Sequence, residues 1–300
     1  MQVLRQRTVG GQLMRIGVVF PQSELGGDVA SVRSYGQGVE EFGFTHLLTY
    51  DHVVGADPEV HKDWPGPYDV DTTFHEPLVM FGYLAGVTNL ELVTGILILP
   101  QRQTALVAKQ AAEVDLLTEG RFRLGVAIGW NQVEYEALGE DFTTRGQRLE
   151  EQIGLLRRLW TERSVTFEGA FDQVVGAGLA PLPVQRPIPV WIGGASDPAY
   201  RRIGRLADGW FPRVNPGESL DRARQIIEAS AAEAGRDGTA LGMEGRVLWQ
   251  PEDPDRFLRH VDRWRDAGAT HLGIDTMRLG LASVDEHLGA LEAAAKLLNL

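Results

Sequence analysis

The stretch Leu90–Gly129, LELVTGILILPQRQTALVAKQAAEVDLLTEGRFRLGVAIG, decides the fold. Leu90–Leu99 is a short apolar run rich in β-branched residues and reads as a strand. Gln103–Thr118 carries apolar residues at helical spacing and stops at Gly120, a helix terminator. Arg121–Ile128 is a second strand, closed by Gly129. A strand, a helix and a strand in this order form one parallel crossover unit.

Working outward, the same rhythm repeats. Arg15–Phe20 is a strand, followed by a helix from a capping Asp28 to about Gly43. Phe44–Tyr50 is the next strand, and Glu76–Val87 its helix after the long loop Asp51–Phe74. Helices near Asn131–Leu138 and Arg145–Glu162 follow the fourth strand. Ser164–Pro187 breaks the pattern and reads as an excursion, in the form of a hairpin. Strands at Pro189–Ile192, Gly209–Arg213, Gly245–Trp249 and Thr270–Asp275 then alternate with helices at Pro198–Leu206, Glu218–Ala234, Pro254–Ala267 and Val284–Leu297. Eight strand–helix units predict an α/β chain closed into a (β/α)8 barrel. A doubly wound open sheet is the alternative. With no repeat and no low-complexity linker, residues 14–300 are expected to form one domain. Residues 1–13 read as a disordered extension, an upstream start or a transit segment, without a secretory apolar core.

Composition narrows the function. The net charge of −12 argues against nucleic acid or an anionic membrane as the main partner. No apolar run approaches the roughly 20 residues of a membrane span. The chain has no cysteine, which removes disulfides, thiolate metal sites and cysteine nucleophiles. HExxH, GxSxG and GxGxxG are all absent. Asp51–Glu76 holds seven acids and three histidines without paired metal-ligand spacing, so no metal is expected and the loop reads as acidic and solvated. A small-molecule substrate and a cytoplasmic location are the expectations.

In such barrels chemistry sits at the C-terminal ends of the strands. Asp51-His52 ends the second strand. His52 can move protons, or the pair can anchor the loop. Gly95 inside strand three marks either a ligand's close approach or a gap in packing. Gly129-Trp130 after strand four either wall a planar ligand or pack on the rim. Gly193-Gly194-Ala195-Ser196 lead into a helix whose N-terminus can bind phosphate, or Ser196 simply caps it. Arg102, Arg145, Arg148, Arg201 and Arg202 either meet an anionic tail or are ordinary surface arginines.

Four stretches resemble the bacterial luciferase-like flavin and deazaflavin oxidoreductases: Phe42–Val54, Thr94–Gly139, Arg145–Trp160 and Pro187–Pro212. They occur in that family's order and are most similar to its coenzyme F420-dependent branch. The resemblance implies a barrel with excursions and a cofactor across its mouth. It implies hydride transfer between F420 and a small organic substrate, with FMN-dependent monooxygenation as the alternative and a non-catalytic flavin-binding protein as a third reading. It implies His52 as the catalytic residue. Asp51 would orient His52 or accept a ring-side bond. Gly95 and Ile96, through a non-proline cis peptide, would back the ring. Gly129-Trp130 would match the turn after strand four, and Gly193, Gly194, Ala195 and Ser196 would bind phosphate. A homodimer is also implied. One departure stands out. Sugar-phosphate dehydrogenases of the family carry a proton-transferring glutamate after the strand-four glycine, where this chain has Trp130. Trp130, Trp64 and Tyr68 suggest a more apolar pocket.

Overall fold

A computed structural model describes residues 14–64 and 66–300. The expectations for residues 1–13 therefore lie outside the described residues. Among the described residues eleven strands run in chain order: β1 (Arg15–Val19), β2 (His46–Thr49), β3 (Glu91–Thr94), β4 (Leu97–Ile98), β5 (Phe122–Ala127), β6 (Val165–Glu168), β7 (Gln173–Ala177), β8 (Val190–Gly194), β9 (Gly209–Pro212), β10 (Gly242–Leu248) and β11 (His271–Asp275).

β3 and β4 act as one strand interrupted at Gly95-Ile96. Counted so, eight parallel strands close the barrel, from β1–β2 round to β10–β11 and back to β1. The open-sheet alternative is excluded by that closure. The expected hairpin is present as antiparallel β6 and β7.

The helices are α1 (Gln22–Leu25), α2 (Val29–Glu41), α3 (Pro77–Ala85), α4 (Thr104–Leu117), α5 (Gln132–Ala137), α6 (Arg145–Thr161), α7 (Asp197–Leu206), α8 (Glu218–Glu233), α9 (Pro254–Asp266) and α10 (Val284–Leu298). Their starts follow from capping. Asp28 accepts from the amides of Ala30 and Ser31, and Glu76 from Val79 ahead of Pro77. Ser283 and Glu286 form a reciprocal capping box. Among the described residues no helix is long and apolar enough to cross a membrane.

The main core lies between barrel and helices. The barrel's N-terminal end is plugged by charge. Glu244 lies 2.9 Å from both His46 Nε2 and an Arg123 nitrogen, and Arg123 also reaches Glu91 at 2.8 Å. The Arg123 guanidinium stacks 4.3 Å above the Trp191 ring. A Cβ at Gly209 or Gly242 would strike that ring at 2.3 or 2.4 Å, so both strands need glycine there. The opposite end carries a small apolar layer of Val19, Leu48, Val93 and Met277, packed by Tyr50 and Phe211. The cavity described next opens at that end, where the sequence placed the chemistry.

Candidate active site

β2 delivers Asp51 and His52 to the barrel mouth, and the two side chains part company there. Asp51 is buried. Its Oδ2 accepts the Ile98 amide at 2.9 Å, and its Oδ1 accepts Arg102 Nη2 at 2.8 Å. Arg102 continues to Glu76 at 2.8 Å. Burial raises the Asp51 carboxyl above its ordinary value although Arg102 opposes it. The expectation that Asp51 orients His52 is therefore corrected, since its carboxylate is taken up by Ile98 and Arg102. Asp51 pins β4 just beyond the interruption, the anchoring role.

His52 is oriented by a residue that sequence reading missed. Its Nδ1 lies 3.1 Å from Oε2 of Glu134, on α5. Glu134 also accepts Gln101 Nε2 at 3.0 Å and the amides of Val53 and Val54. Burial works against its charge, but the bonds from His52 and Gln101 outweigh it and hold the carboxyl below its usual range. An ionised Glu134 makes Nδ1 the protonated nitrogen. A neutral imidazole then presents Nε2 as an acceptor. A faint sequence signal existed: Glu134 is three residues beyond Asn131, which caps α5 by accepting the Glu134 amide at 3.1 Å.

Aromatic rings enclose His52. Phe74, Trp130 and Tyr68 have centroids 4.8, 5.4 and 5.5 Å from it. Trp130 also meets Trp64 at 5.5 Å, so it braces the long loop as well as walling His52. Beside them lies a pocket of ≈ 380 Å³, lined by His52, Tyr68, Val70, Phe74 and Asn131 among others. His61 instead packs against Trp64, and His75 Nε2 bonds Gly26 O.

The glycine positions lie at strand ends, each packed closely against a neighbouring side chain. The Gly95–Ile96 peptide is cis. A Cβ on Gly95 would meet Leu48 at 2.2 Å, and one on Gly193 would meet the Ile96 side chain at 3.1 Å. Ile96 thus lies between the interrupted strand and the β8 loop. Gly129 adopts φ +65°, and a Cβ there would meet Ile98 at 2.7 Å. Gly194 is demanded by packing, since its Cβ would meet Ala199 at 2.5 Å. Ser196 caps α7 by accepting the Ala199 amide at 3.4 Å. The amides of Ser196 and Asp197 donate to no acceptor among the described residues. Ala195 and Ser196 are exposed, which leaves a helix N-terminus with free donors.

Three of the flagged arginines are already engaged. Arg102 serves Asp51 and Glu76, Arg148 pairs with Glu140, and Arg202 with Glu150. Arg145 lies over the Phe142 ring, and Arg201 is exposed.

The model of the luciferase-like monooxygenase family matches residues 14–294, almost the whole described chain. The chain belongs to the luciferase-like monooxygenase family. An FMNH2-dependent dimethylsulfone monooxygenase of Pseudomonas putida is 33% identical over 225 residues, covering 74% of this chain and 58% of that protein. An uncharacterized protein of Mycobacterium tuberculosis is 37% identical over 164 residues, 54% of this chain and 56% of its own length. The chain thus spans less than two thirds of the length of these relatives.

Among solved structures, the monooxygenase RslO1 from Streptomyces bottropensis superposes with a TM-score of 0.78 at 18% identity, covering 95% of this chain and 99% of that one. An F420-dependent secondary alcohol dehydrogenase gives 0.77 at 16% identity with the same coverage. At these identities the likeness establishes the luciferase-like barrel alone.

Proposed function

We propose that this luciferase-like protein is a coenzyme F420-dependent oxidoreductase acting on a small organic molecule. The observation that carries the reading is the Glu134–His52 pair at the barrel mouth, with an acceptor Nε2 enclosed by aromatic rings. Bound F420 would supply two-electron hydride chemistry with a substrate carbon.

The chain's own residues divide the remaining work. His52 Nε2 takes a proton from a substrate hydroxyl, or returns it in the reverse direction. Glu134 fixes the tautomer and stabilises the cationic imidazole that results. Ile96, beside the buried apolar layer of Leu48, Val93 and Met277, would back the ring at the mouth. The free amides at Ser196 and Asp197, with the small residues Gly193, Gly194 and Ala195, fit a phosphate group. Trp64, Tyr68, Phe74 and Trp130 keep water from the imidazole. The Asp51–Phe74 loop carries three of those rings, so its ordering is tied to the site. Hydrogen exchange in that loop should slow when cofactor binds; unchanged protection would sink the idea.

A second reading is favoured by the 33% identity to the FMNH2-dependent dimethylsulfone monooxygenase. There the same scaffold would hold FMN and consume oxygen. Separate titrations with oxidised F420 and FMN decide between them. F420 bound at least 100-fold more tightly, a difference of about 2.7 kcal/mol, supports the first reading. The reverse preference, with oxygen uptake, supports the second. Tight binding without turnover, unchanged by His52→Ala, would make the protein a non-catalytic carrier. A homodimer in the cytoplasm, acting on a small molecule without nucleic acid or membrane, completes the proposal, and sedimentation at several concentrations tests the dimer.

A further inference from the structure

The barrel wall is not closed evenly. β9 pairs with β10 at only two register positions, Gly209–Gly242 and Trp210–Met243. On its other side β10 pairs with β11 at five positions, from Glu244 to Leu248. The seam between β9 and β10 therefore opens above Met243. A pocket of ≈ 280 Å³ fills the opening.

Its lining is cationic. Arg246, His260 and Arg263 contribute to it, with Asn215 and Gln250, and no carboxylate does. That runs against a chain of net charge −12. The backbone adds donors. Gly242 donates its amide to Asp208 on the β9 side, and Trp249 donates to Asp275 on the β11 side. Strand alternation then turns the amides of Arg246 and Leu248 toward the open seam, beyond the last β9 partner.

The positive charge is poorly matched. Arg246 touches the Tyr50 hydroxyl at the barrel mouth, but its nearest carboxylate, Asp275, stays 3.8 Å from Nε. Its side chain is 57% exposed, against 5% for Arg123, which meets two glutamates. Among the described residues Arg263 donates only to the Pro216 carbonyl. His260 bonds Gln250 at 3.3 Å. Burial, and then Arg256, Arg263 and Arg259, hold its pKa down, with Asp253 opposing. The groups facing the pocket thus present a positive field, free amides and a link through Arg246 to the mouth.

We infer that the seam pocket receives the anionic group, a carboxylate or phosphate, of the substrate lying at the barrel mouth, an inference that rests on the oxidoreductase reading above for what the ligand is. Arg246 and Arg263 grip the anion, and the open amides of Arg246 and Leu248 complete its hydrogen bonds. The neutral remainder of the substrate extends past Tyr50 toward His52.

The test uses the full chain and inorganic phosphate as probe. The His260 imidazole signal is followed by NMR and assigned by its loss in His260→Gln. Phosphate should move that signal saturably, both in the free protein and after saturation with whichever of F420 or FMN binds. Arg263→Gln, and Asn215→Asp, which brings a carboxylate to the rim, should each weaken phosphate at least 10-fold. Both positions are exposed, so the variants retain the fold. A His260 signal that does not move, or wild-type phosphate affinity in both variants, overturns the pocket. Displacement of phosphate from His260 by the cofactor overturns the substrate assignment and gives the pocket to a cofactor anion. If no cofactor binds but phosphate still responds to the variants, the cofactor reading fails while the anion site stands.

Discussion

Nδ1 of His52 lies 3.1 Å from Oε2 of Glu134, a carboxylate with no exposed side-chain surface. The pair spans 82 residues and joins the end of β2 to α5. Glu134 also fastens the loop through the amides of Val53 and Val54. One group thus sets both the imidazole's tautomer and its height above the barrel.

Glu134→Gln should separate those duties. Glutamine can still accept from the loop amides, but it cannot stabilise a cationic imidazole. We expect kcat to fall by about 100- to 10,000-fold, the range general acid–base catalysis supplies, with KM nearly unchanged. Steady-state rates beside a circular dichroism melt check this. A melt that collapses while the rate per folded molecule persists would assign Glu134 to structure alone.

Asp51 and His52 are neighbours with opposite expected phenotypes. Asp51→Ala leaves Arg102 with Glu76 alone and the Ile98 amide without its acceptor. Breaking such a buried pair costs about 3 kcal/mol. His52→Ala should abolish turnover while shifting the urea midpoint much less. If Asp51→Ala keeps wild-type stability and loses only activity, the anchoring role is wrong.

Gly129 tests the turn that carries Trp130. Its φ of +65° and the 2.7 Å approach of a Cβ to Ile98 both oppose a side chain. Gly129→Ala should cost about 1–3 kcal/mol, read from urea unfolding. A neutral result would show that α5 can shift, and His52 with it.

Much of this was legible along the chain. Barrel strands alternate with amphipathic helices at periods of 2 and 3.6, so the count of eight and most boundaries follow from local pattern. β10 was the exception. It begins at Gly242 rather than Gly245, because Glu244 points inward at His46 and Arg123 and an inward acid does not read as strand. The glycines at 95, 129 and 193 were legible because small residues at strand ends report close approach. The roles of Asp51 and His52 were not. Successive residues project to opposite sides, and which side faces the mouth depends on Arg102 and Glu134, both distant in sequence. The seam pocket was hidden for the same reason, since register is a property of two strands together.

His271 offers a pH test with a defined sign. It is held mostly from water beneath the barrel, near Arg123 and Glu244, and burial followed by Arg123 lowers its pKa to about 2. The folded protein therefore keeps His271 neutral, whereas the unfolded chain protonates it near its ordinary value of about 6.5. Below that value the unfolded state binds more protons, so stability falls as pH falls, by up to about 1.4 kcal/mol per unit. The contribution is fully present above pH ~6.5 and is lost progressively toward the folded pKa. Carboxylates elsewhere titrate lower in the same range, so the reading is a difference. Between pH 7.5 and 5.5 the wild-type urea midpoint should drop more than that of His271→Gln, by about 1 kcal/mol. Parallel curves would mean that His271 is protonated in the folded barrel, and that Glu244 shares its charge with a third cation.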